Sequence, residues 1–279
     1  MKTLIVTADD FGAATEVNDA VERAHRDGVL TCASLMVTGD AAADAVARAR
    51  QLPTLGVGLH LVLVEGTPAL PPEQLPDLVG ADGRFRTDMA RFGATLFFKP
   101  AARAQLRAEI EAQFAAFAAT GLPLDHVNAH KHFHLHPTIA GLVIEIGRRH
   151  GMKAVRAPVE PFAIVSQVEQ SQPDFTNRVA DLWAKRLRSR LRSKGLRLPD
   201  QVFGLAWSGA VTADRLAALI PLLPPGVTEI YSHPAMTDDY PGHYPGYRYA
   251  DEFAALVDPR VIGAVDESGA RRARFADLC

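Results

Sequence analysis

The feature that most constrains this chain is its rhythm, in which short apolar runs and amphipathic stretches alternate along nearly the whole length. Residues 3–7 form a β-branched run that stops abruptly at Asp9 and Asp10. Residues 16–27 then carry Val17, Ala20, Val21 and Ala24 on one helical stripe, with Gly28 just beyond. Strand-like segments recur at 31–37, 57–63, 125–137, 153–156, 202–205 and 228–234, and 261–263 reads as a last short one. Helical periodicity fills 41–52, 101–119, 138–150, 176–194, 213–222 and 249–257. Apolar strands that end at acids suit a parallel sheet covered on both faces, and repeated strand–helix units imply right-handed crossovers. The expected fold is α/β, a distorted (β/α) barrel of seven or eight parallel strands forming one domain over 1–279. An open doubly wound sheet is the competing arrangement.

The rhythm breaks only at 64–100, a stretch rich in proline and glycine that ends in Ala94-Thr95-Leu96-Phe97-Phe98. Irregular segments of that length in compact domains serve as lids or binding loops, so a lid-like insertion or substrate wall is expected there. Composition excludes several classes. A formal net charge of −2 gives no global attraction to nucleic acid. Two cysteines, Cys32 and Cys279, provide no disulfide framework. Neither a signal-peptide core nor a run of membrane-spanning length is present, so a cytoplasmic protein is expected. The sequence is compatible with a homo-oligomer.

Five of the ten histidines fall between Asp125 and Pro137, in Asp125-His126-Val127-Asn128-Ala129-His130-Lys131-His132-Phe133-His134-Leu135-His136-Pro137. If that segment is extended, His130, His132 and His134 share one face and Lys131 points away. Barrel active sites lie at the C-terminal strand ends, and the chemistry-bearing residues collect there. They are Asp9 and Asp10 after the first strand, His60 on the third, His130 and His132 on the fourth, Arg156 on the fifth and His233 on the seventh. One carboxylate with two histidines is a common catalytic metal set, which Asp10, His60 and His130 can supply, leaving Asp9 free to act as a base. Against this, an Asp pair after a strand often only caps the next helix, and a single strand histidine is often only packed.

Thr7-Ala8-Asp9-Asp10-Phe11-Gly12, Gly58-Leu59-His60-Leu61 and His130-Lys131-His132-Phe133-His134 together resemble the YdjC-like carbohydrate deacetylase family. Val155-Arg156-Ala157-Pro158 and Ser232-His233-Pro234 also match its pattern, and the wording of 128–137 is most similar to the hopanoid-biosynthesis-associated branch. The sequence departs from many relatives at Lys131, where they carry Gln, and at Ala235, where they carry Gly. The resemblance implies one divalent metal ion held by Asp10, His60 and His130, with magnesium a live option, whereas two histidines and a carboxylate suit zinc by softness. It implies that Asp9 is the base and that the substrate is an N-acetylated amino sugar, or a glycolipid carrying one. His233 is the first choice for the acid that protonates the leaving amine, with His132 second. Arg156 is expected to orient Asp9 or to bind a sugar oxygen, and Phe11 to contact substrate.

The segment 177–197 holds Arg178, Lys185, Arg186, Arg188, Arg190, Arg192, Lys194 and Arg197 against the single acid Asp181. Val179, Leu182, Trp183, Leu187 and Leu191 form its apolar stripe. Such a helix either packs by that stripe or lies peripherally on an anionic membrane. The rival functions are a deacetylase of chitooligosaccharides, a phosphoesterase, and a carbohydrate-binding relative without turnover.

Overall fold

In the computed structural model, which describes residues 1–170 and 175–278 (the side chains of 175–178 and 180 excepted), the 2–11 run is the central strand. The chain runs through β1 (Lys2–Phe11), α1 (Thr15–Asp27), β2 (Cys32–Leu35), α2 (Ala42–Ala49) and β3 (Gly56–Leu61). After the insertion, which contains α3 (Met89–Phe98), come α4 (Pro100–Ala119), β4 (Val127–Ala129), α5 (Pro137–Arg149), α6 (Phe162–Val168) and α7 (Phe175–Ser193). The remainder is β5 (Gln201–Phe203), α8 (Ala213–Leu219), β6 (Gly226–Ser232), α9 (Tyr249–Val257), α10 (Pro259–Glu267) and β7 (Arg271–Arg272).

Six strands lie in the order β4-β3-β2-β1-β6-β5, with β7 against β1, and every pairing is parallel. The gap between β4 and β5 is bridged by 154–159. Val127 pairs with Val155 in a parallel bridge, and the Val202 amide donates to the Val159 carbonyl at 2.9 Å. The result is a parallel, partly closed barrel whose fifth wall is irregular where the sequence suggests a strand at 153–156.

Its interior is layered. Ile5, Cys32, Ala154, Ala273, Phe275 and Leu278 make a small apolar plug at the N-terminal end. Because residues i, i+2 and i+4 of a strand share a face, Ile5, Thr7 and Asp9 climb from that plug towards the opposite mouth. Thr7 bonds Glu229 at 2.9 Å midway, and Asp9 reaches the cavity at the top. The larger apolar cluster fills the space between sheet and helices.

Three expectations fail here. Residues 261–263 are helical. Asp258 caps the start of α10 by accepting from the Arg260 amide at 2.7 Å, and Pro259 pre-sets the first turn, which outweighs the β-branched pair Val261-Ile262. The histidine segment is a strand only as far as Ala129; His130–Leu135 turns instead, with left-handed φ of 51° at Lys131 and 52° at His132. The apolar stripe of α7 splits. Leu187 and Leu191 are buried, whereas Val179, Leu182 and Trp183 stay exposed. Cys279 and the side chain of Arg178 lie outside the described residues.

Candidate active site

Two backbone irregularities build the site. Along β1, Ala8 pairs with Ala33 and Phe11 with Leu35, so three steps on β1 oppose two on β2. This is a β-bulge, and Asp10 within it has φ 62°, a left-handed conformation rare outside glycine. A regular strand would send Asp9 and Asp10 to opposite faces; the bulge turns both carboxylates into the mouth. The left-handed pair at Lys131 and His132 likewise brings His130, Lys131 and His132 to one cavity. Strained backbone of this kind costs ~1–3 kcal/mol per residue and persists where surrounding structure enforces it.

The cavity has a volume of about 590 Å³. At its floor Asp10 Oδ1 lies 3.3 Å from His60 Nε2 and 3.2 Å from His130 Nδ1. One donor atom from each of Asp10, His60 and His130 falls within 4.8 Å of the others. His60 is 1% exposed, and among the described residues its Nε2 has no hydrogen-bond partner of proper geometry. An imidazole nitrogen kept dry and unspent beside a carboxylate is the donor arrangement a divalent cation takes, so these residues fit the implied metal.

Asp9 is 2% exposed and is gripped by Arg156, whose Nη1 donates to Oδ2 at 2.5 Å and Nη2 to Oδ1 at 3.0 Å. Burial alone would raise the Asp9 carboxyl, but the adjoining Arg156 charge, with His60, outweighs it and holds the group well below the usual carboxylate range. Arg156 itself is 0% exposed and also donates to Glu229 Oε1 at 2.9 and 2.6 Å. Its face covers the Tyr231 ring at 4.5 Å. Four of its five N–H groups are thus committed inside the barrel, and Arg156 does not line the cavity. The expectation that it binds substrate is corrected; of its two suggested roles, holding Asp9 is the one its contacts serve.

Phe11 requires the same correction. It is 0% exposed, is absent from the cavity wall, and packs in the core between sheet and helices. Burying a phenylalanine is worth about 1.5–3 kcal/mol, so its place in the motif is accounted for by stability.

His233 lines the cavity between the rings of Tyr231 and Tyr247, at centroid distances of 5.7 and 5.4 Å. Its backbone amide donates to the buried Glu252 carboxylate, which anchors the turn despite Ala235. His132 bonds the Tyr231 hydroxyl at 3.0 Å through Nε2. Burial, reinforced by Arg156 and His134, pushes the His132 imidazole well below its ordinary value, so it is neutral at neutral pH. His134 faces away and bonds the Arg156 carbonyl at 2.9 Å; burial takes it down to about 4.

Period-two reasoning misplaces Lys131, which lies in the cavity wall, paired with Glu65 and 4.9 Å above the Tyr244 ring. Sequence reasoning also missed Asn128, Glu229 and Tyr231, and the tyrosines 240, 244, 247 and 249 that face the cavity. The crowding of four tyrosines into ten residues was the available signal for the last group. From the insertion, Glu65, Gly66, Thr67, Arg84 and Phe85 form the opposite wall.

A family model described as YdjC-like protein matches residues 3–267. The chain belongs to the YdjC-like family. A relative named carbohydrate deacetylase from Geobacillus stearothermophilus is 31% identical over 278 residues, covering 98% of this chain and 97% of the relative. A second, from Brevibacillus brevis, is 38% identical over 170 residues; the match covers 61% of this chain and only 63% of that protein. Among solved structures, an Enterococcus faecalis protein provisionally described as a cellobiose-phosphate cleavage protein superposes with a TM-score of 0.76 at 25% identity, covering 100% of this chain and 99% of that one. The YdjC-like match thus spans both bulged β1 and the turn carrying His130.

Proposed function

We propose that this YdjC-like protein is a divalent-cation-dependent hydrolase that removes the acetyl group from an N-acetylated amino sugar. The observation that carries this reading is the meeting of Asp9, Asp10, His60, His130 and His233 at one mouth. Asp10, His60 and His130 would hold the cation. When bound, it supplies Lewis acidity towards the acyl oxygen and acidifies a water. Two imidazole nitrogens favour zinc or another late transition metal over magnesium, which prefers oxygen.

Asp9 is the base. Arg156 keeps it ionised throughout the neutral range, and Oδ2 accepts a single hydrogen bond, from Arg156, which leaves a lone pair for a water proton. His233 delivers a proton to the leaving amine, because it faces the cavity while its Nδ1 is turned to the buried Glu252 carboxylate, 3.9 Å away. The neutral, Tyr231-bonded His132 is the weaker candidate for that step. Tyr244 and Tyr247 offer ring faces to a sugar.

The finer reading is an N-acetylglucosaminyl group on a hopanoid glycolipid, presented at an anionic membrane surface. Its support is the exposed apolar set of Phe97 (51%), Phe98 (86%), Leu182 and Trp183 on α3 and α7. Both helices touch the site's own turn. Phe97 packs against His136 with the rings tilted and their centroids 4.5 Å apart, and Arg190 of the cationic α7 donates to the Pro137 carbonyl at 3.1 Å. Among the described residues no helix is long and apolar enough to cross a membrane. Co-sedimentation with anionic liposomes checks this part; absence of binding at low and high salt rejects it.

Mass spectrometry of chitooligosaccharides and N-acetylglucosaminyl glycolipids, incubated with the metal-loaded protein, tests the activity. Loss of one acetyl group is expected. No acetyl loss across the panel overturns the reading. Asp9→Asn should lower turnover by about 10²–10⁴-fold while bound metal is retained; near-normal turnover removes Asp9 as base.

A further inference from the structure

His60 on β3 and Asn128 on β4 are register partners, and their side chains meet, His60 Nδ1 lying 2.7 Å from Asn128 Oδ1. The Asn128 amide nitrogen donates to Asp9 Oδ1 at 3.1 Å and to Ser34 Oγ at 2.8 Å. Ser34 continues to His126 Nε2 at 3.0 Å, and His126 Nδ1 to Asp125 Oδ2 at 2.9 Å. Asp125 is fastened by the amides of Ala276 at 2.9 Å and Phe275 at 3.3 Å. All five side chains between Asp125 and His60 are at most 6% exposed. An unbroken chain of hydrogen bonds therefore runs through the barrel from its apolar plug to both halves of the candidate centre.

The direction of that chain follows from chemistry. An ionised carboxylate only accepts, so the nitrogen of Asn128 must face Asp9 and its oxygen must face His60. His60 must then carry its proton on Nδ1, which leaves the Nε2 lone pair aimed at Asp10. Asp125 is likewise a carboxylate that only accepts, so His126 donates to it through Nδ1 and takes the Ser34 proton at Nε2. Each donor has one acceptor, and reversing any link strands a buried polar group, at about 1–3 kcal/mol.

We propose that Asn128 is the positioning residue of this centre. One amide fixes the His60 tautomer that a cation requires and the rotamer of the base Asp9, while Ser34 and His126 keep the amide from flipping. The inference rests on the proposed metal-dependent reading and adds a residue outside the ligand set.

The test pairs cation titration with kinetics. Asn128→Leu, which deletes both arms, should weaken cation binding by about 10–100-fold, the scale for groups that orient a ligating histidine, and lower kcat. Asn128→Asp keeps an acceptor for His60 but sets a like charge against Asp9. It should hold the cation within about tenfold of wild type while kcat still falls. Ser34→Ala should weaken the cation less than Asn128→Leu. Wild-type cation affinity in a folded Asn128→Leu overturns the proposal. If that variant does not fold, Asn128→Asp decides, and parallel loss of cation and kcat, or loss of neither, overturns it. Two-bond ¹H–¹⁵N spectra of the wild-type chain should show His126 and His60 protonated at Nδ1, and a His126 protonated at Nε2 instead reverses the chain and overturns it. A wild-type chain that takes up no cation overturns the metal reading alone, since the histidine spectra still judge the relay.

Discussion

Two clusters in this barrel have nearly the same ingredients and opposite characters. Asp10, His60 and His130 bring three donor atoms within 4.8 Å, and so do Cys32, Asp125 and His126. In the second cluster every donor and acceptor is spent. Asp125 accepts from His126, from the Cys32 thiol at 3.5 Å and from two backbone amides, and His126 is bonded at both nitrogens. Burial, with the Asp125 charge, pushes the Cys32 thiol well above its ordinary value, away from the thiolate that binds metals. Space there is filled as well. A Cβ at Gly56 would lie 2.8 Å from the Asp125 carboxylate, and one at Gly58 2.5 Å from the His126 ring. The first cluster instead opens on a cavity and keeps His60 Nε2 without a partner. The contrast teaches that composition and proximity do not define a metal site; unspent lone pairs with a route to solvent do.

The contrast can be broken by substitution. His60→Ala should abolish cation binding and reduce turnover by well over about 100-fold, since removing a ligand exceeds the effect of removing a group that merely supports one; equilibrium dialysis and acetate release read both. Asp125→Ala should leave one cation per chain but unfold the protein more readily. It strands the His126 Nδ1–H and two amides, at about 1–3 kcal/mol for each buried orphan, which denaturant titration measures.

The pH dependence sharpens the same comparison. Burial would raise the Asp125 carboxyl, but its bonds from His126 and the Ala276 amide prevail and hold it below the ordinary 3.8. A depressed carboxylate stabilises above its unfolded pKa and loses that contribution as pH falls through the folded value. The stability gap between wild type and Asp125→Asn should therefore be full above about pH 4 and shrink below it. Smallest of all, Cys32→Ala should cost about 1 kcal/mol, a small cavity and one weak bond, with activity and cation content unchanged.

Much of this was legible in the sequence. The alternation of apolar runs and amphipathic stretches indicates parallel strands, and the strand ends point to Asp9, Asp10, His60, His130 and His233. What was not legible is where the backbone leaves its regular period. The bulge at Asp10 and the left-handed pair at Lys131 and His132 put neighbouring residues on one face, which alternation forbids. Phe11, and Arg156 in one of its two suggested roles, read as substrate contacts because they sit in motifs, yet both are sealed inside. Side-chain burial depends on elements far away in sequence, such as Glu229 for Arg156, and no local pattern carries it.

The most direct measurement is elemental analysis of the purified wild type, His60→Ala and Cys32→Ala after metal loading and desalting. The account predicts one divalent cation per chain in wild type and Cys32→Ala and none in His60→Ala. A cation retained by His60→Ala but lost from Cys32→Ala, or none in wild type, contradicts it.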